Sequence, residues 1–362
     1  MSTIALQDLT KRFDKLLAVD SVDLEVAAGE VICLLGPSGC GKTTTLRMIA
    51  GLEMATAGDI QIAGQRVNEL SPSERNIAMV FQFYALYPSL TVRENLAFPL
   101  YAEKVGSAEI ERRVAHVANV LDLEAVMDRI PGRLAEGEKQ RVAVGRAIVR
   151  DPNCFLFDEP LSRLDIELRQ DMRGKIKEVL NGLSKATVIV THDQLEALTM
   201  ADRIAVMRDG KIQQIASPHD IFQTPTNLFV AGFIGTPQMN LLEATLTDLE
   251  GTVAQFRVDE QYIRLDVNGM AHRLKAGQEM TLGVRPRAFE LASEPGEDTI
   301  SAEADLIEPM GAETLVHMLE GGRDVRVVVP RSERVEIGRR LHMRLRTGGL
   351  HIFDEYGQRV SA

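Results

Sequence analysis

The strongest chemical signal in the sequence is a short glycine-containing stretch, Gly36-Pro37-Ser38-Gly39-Cys40-Gly41-Lys42-Thr43-Thr44. The apolar run Val31–Leu35 before it predicts a buried strand, and Lys42–Ala50 after it predicts a helix. Glycines in such a loop let successive backbone N–H groups surround an anion, and the helix N-terminus adds partial positive charge. In this arrangement Lys42 reaches the β- and γ-phosphates, and the Thr43 hydroxyl ligates Mg²⁺.

The predicted phosphate contacts of this loop are Ser38, Gly39, Cys40, Gly41, Lys42, Thr43 and Thr44. The alternative is a glycine-rich turn that only opens a helix. That alternative is disfavoured because four fixed positions match in the strand-to-helix context that a P-loop requires.

Two carboxylates follow a second buried strand, Cys154–Phe157, and Pro160 then prevents the strand from continuing. Asp158 is placed to hold Mg²⁺, and Glu159 is placed to polarise a water for attack on a γ-phosphate. His192 follows a third buried strand, Thr187–Val190. Since parallel sheets bind ligands at the carboxyl ends of their strands, we expect these side chains to meet the P-loop at one edge.

Other segments must position this edge. Ile4–Leu9 and Val22–Val26 alternate apolar and polar residues and predict half-buried antiparallel strands, and Ile77–Phe81 predicts a strand that ends at Gln82. Phe13 is expected on a polar loop between the first two strands. Its ring either stacks on an adenine or covers the edge of the core, and the sequence leaves both open.

Composition limits the remaining possibilities. A chain of 362 residues is long enough for more than one domain, and its net charge of −11, without a basic stripe, argues against nucleic acid as a partner. Three cysteines, an odd count, indicate a reduced, cytosolic protein. With neither a leader nor an apolar run of membrane-spanning length, any membrane role is expected to need partners.

The predicted organisation is an α/β domain over residues 1–236, with a helical insertion over about 84–150, and an all-β domain over 237–362. An amphipathic helix is expected at Ala108–Leu121, and the last helix of the insertion is expected to begin near Glu138. Beyond Pro237, short strands at even spacing predict a small β-barrel. The candidate strands are Val253–Val258, Tyr262–Val267, Thr281–Val284, Thr314–Met318, Val325–Val329 and His342–Leu345.

Four segments together resemble the ATP-binding subunits of ABC importers, of the carbohydrate-uptake type similar to the maltose and sn-glycerol-3-phosphate importers. The segments are GPSGCGKTT, VFQFYALYPSLTVRENL, FLFDEPLSRLD and VTHDQLEALTMADRIAVM. The resemblance covers essentially the whole chain. It implies a P-loop NTPase with an antiparallel β subdomain and a helical insertion, followed by an all-β domain similar to OB and TOBE domains.

The same resemblance implies roles for individual residues. Phe13 matches the adenine-stacking aromatic, Gln82 the glutamine that senses Mg²⁺ and the attacking water, and Glu159 the catalytic base. His192 matches the histidine that contacts the γ-phosphate. Residues 162–165 match a loop that crosses to a partner subunit, and residues 83–95 match the groove for a helix of a transmembrane permease.

One segment departs from the family pattern. The Leu-Ser-Gly-Gly-Gln signature, which closes over ATP bound to the opposite subunit, is here Leu134-Ala135-Glu136-Gly137-Glu138. Glu136 and Glu138 either favour a helix N-terminus, by roughly 0.3–1 kcal/mol each, or Glu136 faces the partner's nucleotide. At about 4 Å from a γ-phosphate, that charge costs on the order of 4 kcal/mol at an effective dielectric constant near 20. Ala135, Glu136 and Gly137 remain candidate nucleotide contacts.

The sequence therefore predicts an ATPase that uses ATP and Mg²⁺ to power import of a sugar, oligosaccharide, polyol or glycerol phosphate. The expected partners are a second ATPase subunit, two transmembrane permease subunits and an extracytoplasmic solute-binding protein, at the cytoplasmic face of the bacterial inner membrane. A catalytically weakened or regulatory subunit acting in a heterodimer is the alternative. A chromosome-maintenance or translation-factor ATPase would need a coiled coil or a second P-loop, and a kinase or GTPase has no use for 134–141 or His192.

Overall fold

The computed structural model describes residues 2–182, 184–267, 269–321, 323–346 and 348–361. The backbone packs as two compact units, Met1–His219 and Asp220–Ala362. This division lies before the expected domain boundary at residues 236 and 237, because the intervening segment is bonded to the C-terminal strands. The Arg285 guanidinium donates hydrogen bonds to the carbonyls of Phe222, at 2.8 Å, and Ile234, at 2.6 Å.

The strands of the N-terminal unit form two sheets. In chain order they are β1 (Ser2–Phe13), β2 (Leu16–Ala27), β3 (Val31–Leu35), β4 (Ala57–Ile62), β5 (Gln65–Arg66), β6 (Ile77–Val80), β7 (Cys154–Asp158), β8 (Ala186–Thr191), β9 (Arg203–Arg208) and β10 (Lys211–Ala216). One sheet is antiparallel, in the order β2-β1-β4-β5. The other has the order β10-β9-β3-β8-β7-β6, in which β10 is antiparallel and the rest are parallel.

The parallel strands β3, β7 and β8 are almost entirely buried, as their continuous apolar runs predict for strands covered on both faces. The order β3-β8-β7-β6 brings the segments that follow these strands to one edge of the sheet. The P-loop, His192, the Asp158–Glu159 pair and Gln82 therefore approach one another from adjacent strands.

The helices of the N-terminal unit surround this sheet and include those of the expected insertion. They are α1 (Lys42–Ala50), α2 (Val92–Ala102), α3 (Ser107–Val120), α4 (Glu136–Ile148), α5 (Ile166–Asn181) and α6 (Gln194–Met200), with short 3₁₀ turns at Glu124–Val126 and Pro131–Arg133. The helix predicted over Lys42–Ala50 has the predicted bounds. Helix α4 begins at Glu136, before the expected Glu138, because the Glu138 carboxylate accepts a hydrogen bond from the Ala135 N–H at 2.8 Å and caps the helix from its first turn.

Phe13 differs from its predicted setting. It is the last residue of β1, paired with Leu16 of β2, and not part of a loop. The sequence predicts that the first strand ends at Leu9. In the structure, the pairing of β1 with β2 shifts register between Leu6 and Arg12 and then continues to Phe13.

The C-terminal unit is all-β apart from short helices, as the sequence predicts. Its elements are α7 (Pro218–Gln223, which begins in the N-terminal unit), α8 (Leu228–Phe233), β11 (Asn240–Glu250), β12 (Val253–Val258), β13 (Gln261–Asp266), β14 (Glu279–Val284), β15 (Phe289–Ala292), β16 (Thr299–Met310), β17 (Glu313–Glu320), β18 (Arg323–Pro330), β19 (Arg340–Leu345), β20 (Leu350–Phe353) and β21 (Arg359–Val360), with 3₁₀ turns at Ala271–Arg273 and Pro286–Ala288. The described strands are divided between two sheets, β13-β12-β11-β14-β20-β21 and β15-β19-β16-β17-β18, and do not close in one barrel. Alternate residues of both sheets, such as Phe256 and Val327, share one apolar core.

Among the described helices, none combines the length and the apolar character needed to cross a bilayer.

Candidate functional site

The P-loop connects β3 to α1 and holds a buried cation. Lys42, with 6% of its side chain surface exposed, donates from Nζ to the carbonyls of Gly36, at 2.8 Å, and Pro37, at 2.9 Å. Gly41, the N-cap of α1, has φ 104°, and a Cβ there would lie 2.5 Å from the Ala18 carbonyl oxygen. A side chain would clash with backbone there, so this position requires glycine.

Two oxygen donors meet beside the P-loop. The Thr43 hydroxyl donates a hydrogen bond to Asp158 Oδ1 at 3.3 Å, which joins the first turn of α1 to the end of β7. Burial raises the pKa of Asp158, with the neighbouring Glu159 charge adding to the effect and the Thr43 hydrogen bond opposing it. A hydroxyl and a carboxylate oxygen are hard ligands, so this pair fits Mg²⁺ coordination shared with bound phosphates.

Glu159 joins two other predicted site residues. Its Oε2 accepts a hydrogen bond from Gln82 Nε2 at 2.7 Å, and its Oε1 lies 3.1 Å from His192 Nδ1. Gln82 Nε2 also lies 3.4 Å from the Ser162 hydroxyl. Residues that follow β6 and β8 thus converge on the carboxylate that follows β7.

The backbone of Glu159 lies in an uncommon conformation. Its φ is 47°, in the left-handed region that glycine favours, and its N–H donates to the Val190 carbonyl of β8 at 2.9 Å. A non-glycine residue stays in this region where the surrounding structure holds it, and such residues concentrate at functional sites. This conformation directs the carboxylate away from the strand and toward Gln82 and His192.

A supporting network behind His192 was not predicted from sequence. Asp193 caps α6 by accepting hydrogen bonds from the N–H groups of Leu195 and Glu196, and it pairs with Arg169 at 3.1 Å. The buried Thr191 hydroxyl donates to Glu196 Oε2 at 2.6 Å and accepts from the Asp193 N–H at 3.0 Å. The position of Asp193 directly before a helical pattern could have predicted its role as an N-cap. Its pairing with Arg169 could not be predicted, because it depends on tertiary structure.

The altered signature segment forms the start of α4. Glu136 Oε1 accepts a hydrogen bond from Lys139 Nζ at 2.6 Å, and this bond is the main cause of the lowered pKa of Glu136. A Cβ on Gly137 would lie 2.5 Å from Leu168 Cδ2, so a larger residue here would require the Leu168 side chain to move. Within the single chain, Glu138 therefore caps the helix, while Glu136 interacts with Lys139 of the same helix and with the Tyr84 side chain. These contacts do not join Ala135–Gly137 to the P-loop.

Two further predicted contacts differ in exposure. The Phe13 ring is 41% exposed, with Lys11 Nζ 4.6 Å from its centroid. Cys40 is buried within the P-loop, where its Sγ lies 3.7 Å from Lys42 Nζ. Ser38, Gly39 and Thr44 belong to the same loop and first turn of α1.

Comparisons with known proteins identify the family of this chain. A family model described as "ABC transporter" matches residues 19–162, one for the MalK OB fold domain matches 235–289, and one for the TOBE domain matches 282–353. The sn-glycerol-3-phosphate import ATP-binding protein UgpC of Escherichia coli (strain K12) is 46% identical over 362 residues, which cover 99% of this chain and 100% of UgpC. The chain belongs to the ABC transporter family.

Other members of the ABC family support the assignment. An uncharacterized ABC transporter ATP-binding protein, y4oS of Sinorhizobium fredii, is 43% identical over 354 residues, covering 98% of this chain and 93% of y4oS. The dimeric post-hydrolysis structure of the ATP-binding cassette MJ0796 with ADP and Pi is similar at a TM-score of 0.54 and 29% identity, covering 59% of this chain and 98% of that chain. The predicted fold class and family are confirmed, this ABC subunit is an ATP hydrolase, and no comparison favours the regulatory alternative.

Proposed function

We propose that this ABC subunit hydrolyses ATP with Glu159 as general base and so powers solute import. The observation that carries the proposal is the contact of both Glu159 carboxylate oxygens with Gln82 and His192, directly after the Asp158 that bonds Thr43. A base adjacent to a metal-binding carboxylate lies where it can take a proton from a water that attacks a bound γ-phosphate.

The remaining site residues divide into binding and orienting roles. Lys42 and the N–H groups of 38–44 bind the phosphates, and Phe13 stacks on the adenine. Thr43 and Asp158 would hold Mg²⁺, with Gln82 as a further ligand, and the chemistry that Mg²⁺ supplies there is neutralisation of charge on the phosphate oxygens. His192 donates a hydrogen bond to the γ-phosphate, which its position beside Glu159 supports.

The working form is a dimer of two copies of this chain. The similar MJ0796 structure is dimeric, and the loop 162–165 and the segment Ala135–Gly137 are the parts proposed to reach the partner's nucleotide. Glu136 is paired with Lys139 on its own helix, and this pairing supports a homodimer over a heterodimer with a subunit of normal signature.

An apolar groove of about 550 Å³ on the N-terminal unit is the proposed docking site for the permease subunits. Of the segment 83–95 predicted to form the permease groove, Tyr87 lines this one, together with residues that include Leu52, Phe81, Phe98, Ala102 and Arg146. The Tyr87 and Phe98 rings pack 4.5 Å apart, and Phe98 is 42% exposed. Phe81, which lines the groove, directly precedes Gln82, so a permease helix there would lie near the segment that carries a hydrolytic residue. This chain then works peripherally on the cytoplasmic face of the inner membrane, and an extracytoplasmic binding protein delivers the solute.

The solute is a sugar, oligosaccharide, polyol or glycerol phosphate, and the 46% identity to UgpC makes sn-glycerol-3-phosphate the first one to test. The test measures uptake of radiolabelled sn-glycerol-3-phosphate by Escherichia coli that lacks UgpC and expresses this chain, with its Glu159→Gln variant as the matched control. Uptake by cells that express the native chain, but not by cells that express the Glu159→Gln variant, supports the proposal. Equal uptake by the two kinds of cell contradicts it. Phosphate release by the purified chain without uptake rejects this solute and leaves the ATPase assignment standing.

A further inference from the structure

Arg146 on α4 is bonded to the segment that begins with Gln82. Its Nη1 donates a hydrogen bond to the Ala85 carbonyl at 2.6 Å, and its Nη2 donates to the Tyr84 carbonyl at 3.0 Å. The two bonds connect positions 61 and 62 residues apart in sequence. A planar guanidinium fork holds two acceptors in a fixed relative geometry, which a single ammonium cannot do.

The backbone that Arg146 holds is in an unfavourable conformation. Tyr84 has φ 60° and Ala85 has φ 50°, so two consecutive non-glycine residues lie in the left-handed region. Such a pair persists only where the surrounding structure fixes it. Because both carbonyls that Arg146 contacts belong to these two residues, the guanidinium is the group best placed to fix them.

Arg146 lies in a largely desolvated position. Burial lowers its pKa, and its guanidinium carbon lies 5.4 Å from the centroid of the Tyr87 ring. Within the described part of the chain, the hydrogen bonds of this cation go to carbonyl oxygens and not to a carboxylate. Partial burial of a cation costs free energy, and the two charge-assisted hydrogen bonds to the carbonyls offset that cost.

The other end of this segment is in the hydrolytic site. Gln82 Nε2 donates to Glu159 Oε2 at 2.7 Å, and the Phe83 ring packs against the Arg163 guanidinium at 4.2 Å. Only Phe83 separates Gln82 from the residues that Arg146 holds. A shift of the Tyr84–Ala85 backbone therefore moves the amide that contacts the general base.

We propose that Arg146 is a positioning residue for Gln82, which it holds through the left-handed turn Tyr84–Ala85. This inference rests on the proposed function, in which Gln82 and Glu159 act on the attacking water. Arg146 also lies between the hydrolytic site and the proposed permease site, because its side chain lines the groove proposed for the permease. A movement of the residues that line this groove would therefore shift Gln82 through the Arg146 guanidinium.

Arg150 provides a matched control. It follows the same helix, and its guanidinium donates to the Ile77 carbonyl at 3.1 Å and to Asn76 Oδ1 at 3.0 Å. These two acceptors lie at the start of β6, while Arg146 acts beyond its end. Arg150 also pairs with Glu103 at 2.6 Å. Loss of Arg150 thus removes at least as many hydrogen bonds as loss of Arg146 without releasing the turn after Gln82.

The experiment measures ATP affinity and steady-state ATP turnover, both with Mg²⁺, for the full-length chain and for Arg146→Gln, Arg146→Lys and Arg150→Gln. Arg146→Gln is expected to lower kcat about 10–100-fold, as misplacement of a group by about 1 Å does, with KM and ATP affinity within about twofold. Arg146→Lys, which keeps the charge and one donor, should lose less, and Arg150→Gln should retain native kcat. Equal losses in Arg146→Gln and Arg150→Gln would show that the arginine only stabilises the fold.

A double-mutant cycle separates positioning from an independent effect. If Arg146 acts through Gln82, adding Arg146→Gln to Gln82→Ala should change kcat by less than about twofold, since the amide it positions is gone. Multiplied losses would overturn the proposal. Thermal melts identify any variant that is not folded, and if Arg146→Gln is one, Arg146→Lys takes its place in the cycle. Native turnover in Gln82→Ala would instead reject the role given to Gln82 in the proposed function.

Discussion

Two glutamates of this ABC subunit, Glu159 and Glu136, show how position decides what a carboxylate does. Glu159 is held by residues that follow two neighbouring strands, with its backbone in the left-handed region. Glu136 is half exposed and bonded to Lys139 one turn along its own helix. The first arrangement exists only in the folded sheet, whereas the main partner of Glu136 lies one turn away on the same helix. We therefore expect the two residues to differ sharply in their effect on turnover.

The largest effect is expected for Glu159→Gln. The amide keeps the shape of the side chain but cannot accept a proton from water, so kcat should fall by about 10²–10⁴-fold. ATP affinity should change little, because the carboxylate acts on water and not on the nucleotide. Phosphate release and equilibrium ATP binding by the full-length chain measure the two quantities. Turnover at the native rate would refute the assignment of Glu159 as the base.

Lys42→Ala should act on binding. The substitution removes a buried charge that the P-loop carbonyls hold in place, and charge-assisted hydrogen bonds to phosphate contribute about 1.5–3 kcal/mol. ATP affinity should therefore fall about 10–100-fold. Titration with a fluorescent ATP analogue checks this, with melting temperature as the control for folding. A variant that binds and hydrolyses ATP normally would contradict the P-loop function.

A smaller effect is expected when the family signature is restored by Ala135→Ser together with Glu136→Gly. Serine gains a side-chain cap at the N-cap position, while glycine costs up to about 1 kcal/mol in the helix, so stability should change little. Turnover should stay within about twofold if Glu136 serves only its helix. ATP-driven dimerisation, followed by size-exclusion chromatography, and turnover are measured together. A tenfold rise in both dimerisation and turnover would mean that Glu136 opposes closure on the partner's nucleotide. That result would favour a heterodimer with a subunit of normal signature.

The smallest effect concerns Glu136→Gln and its pH dependence. Lys139 lowers the pKa of Glu136, so the carboxylate stabilises the fold above its unfolded-state pKa and loses this contribution as pH falls through the lower folded-state value. The variant should lower the free energy of unfolding by about 0.3–1 kcal/mol at pH 7, with allowance for solvent screening. Urea unfolding at pH 7 and at pH 3 tests this, and the difference should shrink at the lower pH. A difference that grows as the pH falls would contradict the pairing with Lys139.

The sequence was sufficient where chemistry is local. The sequence predicts α1 over the residues at which it is observed, because the glycine loop sets its start and the apolar spacing sets its length. Gln82, Asp158, Glu159 and His192 were each placed at a strand end. Their meeting at one carboxylate depends on the strand order β3-β8-β7-β6, which no local pattern encodes. Whether each acts as assigned stays a prediction for the experiments above.

Long-range partners account for most of what sequence reasoning missed. Arg146 reads as an ordinary helix cation, because its acceptors lie 61 and 62 residues earlier in the chain. The strand β16 was not predicted, since its second half is largely exposed and lacks the apolar alternation of a buried strand. Phe13 was placed on a loop because the register shifts in β1 break the period-two pattern that marks a strand.

The burial of all three cysteines has a practical consequence for spectroscopy. Cys33, Cys40 and Cys154 are free and buried, and burial raises the pKa of Cys154 to about 12 and that of Cys33 higher still. The thiolate is the reactive form, so maleimide dyes should react slowly with Cys33 and Cys154, and burial restricts their access to Cys40. A cysteine introduced at Tyr356, which is 79% exposed, would then take up a fluorophore selectively. Labelled copies of the otherwise native chain could report subunit association by energy transfer.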